Sequence, residues 1–328
     1  MTSTVRVVCA STAAVISVAA ATALIGTKTH DSQSGRPDSS PAAGVGTRAD
    51  VVVADDQGLR RLSVVTRPEA AARVTAVEPL PVAGAVVSPT VSPDGRLVYV
   101  AVKGENTDLM IADADGSAAT LLTDTRETDE TGPTWSPDGT QLAFVRTDAR
   151  GKPEIVVMDA STGREQQVTN NDVVDLGPAW SPDGDRLVFS RTDDEGTDLY
   201  AYSLAEKAEV RLTQSPDLEE SSPTVAPDGS SIAYLMPDDA PVDPAAGDAA
   251  PLARGRAIWV LEEGSEPRRL TPAGQLLEPE WVTADTLVYS QLSYPVSRVA
   301  MLDVGRPERP TTLYEVTGIP TFSWRERS

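Results

Sequence analysis

The sequence predicts an all-β fold over residues 49–328: a six-bladed β-propeller closed by pairing of its N- and C-terminal strands. Three observations predict it. Copies of one motif place Pro89, Pro133, Pro178 and Pro223 at steps of 44, 45 and 45 residues. Each copy divides into four short segments with the alternation of strands, and none has a helical period. The first and last copies are incomplete, and what one lacks the other supplies.

At the N-terminus, residues 1–26 are expected to be a signal peptide or a membrane anchor. Residues 7–26 carry no charge, and about 20 apolar residues suffice to cross a bilayer. Ala21-Thr22-Ala23 has the small-residue pattern of a cleavage site, while Arg6 stands on the side that stays inside. Either reading exports the rest of the chain, so the protein is expected to be extracytoplasmic, membrane-anchored or secreted. Residues 27–48, rich in Ser, Pro and Gly, read as a flexible linker.

The repeat follows. GPTWSPDGTQLAFV at 132–145, GPAWSPDGDRLVFS at 177–190 and SPTVAPDGSSIAYL at 222–235 superimpose without gaps. SPTVSPDGRLVYV at 88–100 matches them with one residue fewer after the glycine. EPEWVTADTLVYS at 278–290 keeps the proline and Trp281 without Pro-Asp-Gly, and IPTFSW at 319–324 is a sixth start. Strand a of each unit holds Pro-x-Trp-Ser. Pro-Asp-Gly then turns the chain: proline sets φ, aspartate caps free amides and glycine accepts a positive φ. Strand b carries a recurring aromatic at Tyr99, Phe144, Phe189, Tyr234 and Tyr289. Its two largely apolar faces suit a sheet packed between two others. Strand c is read at 109–113, 155–159, 199–203, 258–262 and 299–303. Strand d ends at Thr123, Thr169, Thr213 and Thr271.

The ends define the closure. The C-terminal copy stops after strand a, and the N-terminal stretch supplies strands b, c and d at 50–55, 62–66 and 73–77. Together they make one blade, which with five full blades gives six. Pairing the termini in one sheet leaves no free edge at the seam.

Pro-x-Trp-Ser-Pro-Asp-Gly, followed by a strand ending in Asp and then Leu-Thr, resembles the TolB-like β-propeller family over nearly all of residues 50–328. The resemblance implies a six-bladed propeller closed by its termini, as found in periplasmic translocation proteins and as the gating domain of some serine peptidases. Two departures from the family pattern stand out. A short tether stands where an α/β domain often precedes the propeller, and no hydrolase domain is seen after it.

Composition narrows the chemistry. The 49 acidic and 28 basic residues give a formal charge of −21, which repels phosphate backbones and argues against nucleic-acid binding. The single cysteine, Cys9, and the single histidine, His30, both precede the propeller. Ser–His–Asp and Cys–His nucleophiles, and zinc sites built from those ligands, are therefore excluded within it. Asp113-Ala114-Asp115-Gly116 is rich in oxygen but lacks the twelve-residue loop with a terminal Glu, so no metal site is assigned.

Residues that recur in every blade read as structural. Asp94, Asp138, Asp183 and Asp228 sit in the turns, and Trp135, Trp180 and Trp281 are expected between neighbouring blades. Positions that break the repeat are better candidates for function. Three residues before the blade proline stand Glu130, Asp175 and Glu220, where the other blades have Val86, Leu276 and Thr317. Placed in the loops between strand d and the next strand a, these acids would make the channel mouth negative and hold a cation or a basic group of a partner. Simple solvation of acidic loops is the alternative. A second irregularity is an insertion at 237–256, a candidate contact arm.

The expected function is that of a non-catalytic, exported or membrane-anchored propeller. It is expected to bind a protein or peptide partner through its top loops and channel mouth. No catalytic residue and no cofactor are assigned, membrane contact is confined to the N-terminal segment, and the propeller is expected to be monomeric. The alternatives are a carboxylate-based, glycan-active hydrolase or lyase, with Glu130 and Glu220 as its pair, and a gating propeller for a separate peptidase.

Overall fold

The computed structural model describes residues 47–326 apart from 68–69, 105, 216–217, 239–254 and 294–295, together with the backbone of 5–8 and 15–18. The signal or anchor segment and the linker otherwise lie outside the described residues. Val5–Val8 and Val15–Val18 pair antiparallel. Among the described residues no helix is long and apolar enough to cross a membrane.

The described part of residues 47–326 forms six antiparallel sheets of four strands; five consist of consecutive strands, and the sixth joins the C-terminal strand to the first three strands of the ring. The a strands are Ala85–Val91, Asp129–Trp135, Val174–Trp180, Ser221–Val225, Leu276–Thr283 and Thr321–Glu326. The turn chemistry is as the residue types demand. The N–H groups of Gly95, Gly139, Gly184 and Gly229 donate to the carbonyls three residues earlier at 2.8–2.9 Å. In the second blade Asp138 also accepts from Ser136 Oγ at 2.6 Å and from the Thr140 N–H at 3.0 Å.

The b strands are buried on both faces. Leu142, Ala143, Phe144 and Val145 are all fully enclosed, and each large apolar side chain so buried stabilises the fold by about 1.5–3 kcal/mol. Six core clusters join the blades pairwise around the ring. Trp135 of blade two packs on Val98 and Leu109 of blade one, and Trp180 of blade three packs on Ile155 and Val157 of blade two. Trp281 of blade five does the same against Leu235 and Ile258 of blade four.

The short d strands end at Leu121, Gln167, Arg211 and Arg269, and the threonine two residues beyond each has a clear task. The hydroxyls of Thr123, Thr169, Thr213 and Thr271 accept the backbone N–H groups of Leu109, Ile155, Leu199 and Ile258 at 2.8–2.9 Å. Each thereby satisfies a buried strand c donor that would otherwise be orphaned.

The seam closes as the terminal copies predict. Thr321–Glu326 pairs antiparallel with Thr47–Asp55, with Trp324 opposite Val51. Gly58–Arg67 and Ala70–Pro79 complete this sixth blade. Phe322 and Trp324 pack with Val51, Val53 and Leu62 in a cluster that also holds Val288 and Val299 of blade five. In blade four, strand b ends at Asp238 and strand c starts at Gly255. The central part of the insertion expected at 237–256 lies outside the described residues.

Candidate functional site

The a strands are irregular in a regular way. In five blades the a–b register shifts around the blade proline, between Val87 and Thr90, Thr131 and Thr134, Leu176 and Ala179, Ser221 and Thr224, and Leu277 and Glu280. The residue before the proline takes a left-handed φ each time: Ser88 47°, Gly132 57°, Gly177 61°, Ser222 52° and Glu278 47°. A bulge of this kind bends its strand and re-aims the side chains beside it.

These bulges surround a cavity of about 480 Å³ lined by a-strand residues of all six blades, which places it on the axis of the ring. Pro89, Pro133, Pro178, Pro223 and Pro279 line it, and Trp135, Trp180 and Trp281 contribute to its wall. Hydroxyls come from Ser88, Thr90, Thr134, Ser222 and Thr224. A concave, mostly apolar site of about 300–1,000 Å³ with a few polar groups is what a ligand-binding cavity needs.

Among the described residues, blade five supplies the only ionisable members of that lining, Glu278 and Glu280. At the first position the four preceding blades carry Ser88, Gly132, Gly177 and Ser222. At the second, four of the other five blades carry threonine and one carries Ala179. Glu280 accepts the Trp324 N–H at 3.2 Å on each oxygen. Glu278 makes no hydrogen bond or ion pair among the described residues. Both residues are partly buried, and both line the cavity. Burial pushes both carboxyl groups up to about 8. At Glu280 the Trp324 N–H opposes the rise and the Glu278 charge adds to it.

The three acids singled out by the repeat lie elsewhere. Glu130 and Asp175 are not in loops: strand a starts at Asp129 and Val174, so both are strand residues. They and Glu220 are fully buried, and none lines the axial cavity. Glu130 stands opposite Arg146, and Asp175 opposite Arg191, in the a–b ladder. Arg146 Nε donates to Glu130 at 2.8 Å, while its other nitrogens bind Glu165 of strand d at 2.6 and 2.9 Å. Arg191 grips Asp175 at 2.7 and 3.0 Å and Glu209 at 2.5 and 3.0 Å. Each arginine also lies over the phenylalanine two residues earlier, at 5.3 Å from the ring centroid. Glu220 has no arginine and is held by the hydroxyls of Thr213 and Ser215. Burial raises its pKa against those two bonds.

All six carboxylate oxygens of this set are therefore engaged within the fold. The carboxyl groups that line the axial cavity are those of Glu278 and Glu280. Their signal was present in the sequence, where EPEW at 278–281 aligns with GPTW and GPAW and puts acids on both sides of the proline. Attention to the position three residues earlier passes over it.

Comparison with known proteins agrees with the geometry. Residues 92–238 match the family model of the TolB beta propeller domain. The Tol-Pal system protein TolB of Azoarcus sp. (strain BH72) is 43% identical over 75 residues, which are 23% of this chain and 17% of that protein. The match thus spans about a sixth of the curated relative's length. The solved TolB from Acinetobacter baumannii superimposes with a TM-score of 0.64 at 18% identity, covering 85% of this chain and 66% of that one. A putative TolB from Agrobacterium tumefaciens gives 0.60 at 19% identity, covering 86% and 99%. At these identities the two structures speak for the fold. By its repeat, its matching family model and its six closed blades, residues 47–326 form a TolB-like β-propeller.

Proposed function

We propose that this chain is a non-catalytic binding propeller, working outside the cytoplasm, that receives a segment of a protein or peptide partner in its axial cavity. The observation that carries the reading is the cavity itself: about 480 Å³, walled by proline and tryptophan from rigid sheets, with hydroxyls at intervals. Such a wall favours an extended chain, because it offers apolar contact with scattered polar positions. The Tol-Pal system that names one relative accords with a role in protein assembly. Glu130, Asp175 and Glu220 serve the site indirectly, by tying together the strands that shape it. The apolar run at residues 7–26 supports export, with membrane contact limited to that segment.

A photo-crosslinking amino acid placed at Thr134, in the cavity wall, tests this against one at Val210, exposed on strand d of blade three. The axial position is expected to give a discrete protein adduct in the native envelope, and the outer one none. Equal labelling at both, or none at Thr134, would overturn the reading.

A further inference from the structure

The lining of the axial cavity comes from all six blades, and among the described residues Glu278 and Glu280 are its only titratable members, with no basic side chain beside them. Elsewhere in the ring, buried acids of strand a are met by arginine or by hydroxyls. Here, among the described residues, Glu278 makes no hydrogen bond or ion pair, and Glu280 accepts a single backbone N–H. Leaving a carboxyl group so placed costs free energy, and the other blades avoid the cost with uncharged residues at the same positions. Among the described residues the lining offers no cation, so a carboxyl here is relieved either by keeping its proton or by a positive charge that a ligand brings.

The chemistry of the wall narrows that ligand. A hard divalent ion wants six or more oxygen ligands, and among the described residues no cluster of three acidic, histidine or cysteine side chains exists to hold one. A cation with an apolar stem suits proline and tryptophan walls better, since the stem lies along them while its head reaches the carboxyl groups. A guanidinium asks for a planar, bidentate acceptor, whereas an ammonium has three donors that rotate freely. Scattered hydroxyls and two separate carboxyl groups match the ammonium.

We propose that Glu278 and Glu280 form the receptor for the ammonium group of a lysine side chain carried into the cavity by the partner's segment. The proposal rests on the partner-binding reading above and names the contact that selects the partner. One ammonium balances one carboxylate; the second carboxyl keeps its proton and donates to the first or to a hydroxyl. Binding near neutral pH therefore releases about one proton.

The probes are n-butylammonium, n-butylguanidinium and the neutral n-butanol. Each is titrated into the propeller between pH 6 and 9, with tryptophan fluorescence and calorimetry as readouts. n-Butylammonium should bind at least about tenfold more tightly than n-butanol at pH 8.5, and weaken by up to about tenfold per pH unit below 8. The variant Glu278→Ser with Glu280→Thr installs residues that other blades already carry, so the ring should fold. It should lose n-butylammonium binding and keep that of n-butanol. Equal affinity for n-butanol, tighter binding of n-butylguanidinium, or undiminished n-butylammonium binding by the variant would each overturn the proposal. The crosslink at Thr134 separates the two levels. An adduct that persists unchanged in the double variant sinks the lysine site and leaves the partner reading standing, whereas no adduct in the wild-type protein sinks that reading.

Discussion

Blades two and three bury their strand a acids against arginine, whereas blade five places its acids in the lining of the axial cavity. The contrast lies in what each carboxylate faces across the sheet. Glu130 and Asp175 stand opposite arginines that bridge strand a to strand d, and the three charges form a chain across the blade. Glu278 falls in the bulge with no strand b partner in the a–b ladder, and Glu280 stands opposite the apolar Val288, which cannot compensate it. Blade four stands between these cases. Ser221 pairs with Leu235, so Met236 occupies the place of Arg146 and Arg191, and Glu220 makes do with hydroxyls. Compensated acids tie the strands of one blade together, and the uncompensated ones line the axial cavity.

The strongest way to break the contrast is to remove an arginine. Arg191→Met leaves Asp175 buried without its cation and should destabilise the propeller by about 3–5 kcal/mol, read as a lower urea midpoint. A loss below about 1 kcal/mol would mean that Asp175 is far less dependent on its partner than the geometry implies.

The next test uses pH. Glu278 and Glu280 rise from an ordinary 4.5 to about 8 on folding. The folded form then binds more protons than the unfolded one between those values. Their contribution is therefore fully present below pH 4.5 and is lost as pH rises through 8, with a slope of up to about 1.4 kcal/mol per pH unit for each group. Urea unfolding at pH 5, 6.5 and 8 should show a fall that disappears in the Glu278→Ser, Glu280→Thr variant.

A smaller effect isolates the backbone at the bulge. Glu278→Gly places at φ 47° the residue that blades two and three use there. It should stabilise by about 1–2 kcal/mol, since it removes both a left-handed side chain and an unpartnered carboxyl. Thermal unfolding checks it, and a destabilised variant would show that Glu278 has a partner in the fold.

Blade four should give the smallest change. Glu220→Gln keeps the shape and the hydroxyl contacts and removes a charge that burial already disfavours. Its cost should stay below about 1 kcal/mol. Asp175→Asn should cost more, because it takes a carboxylate from Arg191. Equal costs would erase the distinction between hydroxyl-held and arginine-held acids.

Much of the fold is legible in the chain because its determinants are local and repeated. Ser136-Pro137-Asp138-Gly139 makes its turn with its own atoms, and the threonines just beyond strand d recur because each blade has the same buried donor to satisfy. The site is legible only in part. The departure from the repeat at Glu278 and Glu280 can be read by alignment, but the environment of any acid cannot. Glu130 looks like a loop residue until Arg146, sixteen positions away, is seen opposite it. Glu280 meets a backbone N–H forty-four positions away, at the seam.

The sequence by itself determined the number of blades, the turns between their strands and the way the ring closes. Turn geometry and period-two alternation act over a few residues, and complementary end pieces have one way to pair. Only the tertiary structure decided which acids are structural and which face the axis. That outcome depends on the dielectric and the counter-charges around each carboxyl, and those are contributed by other strands and other blades.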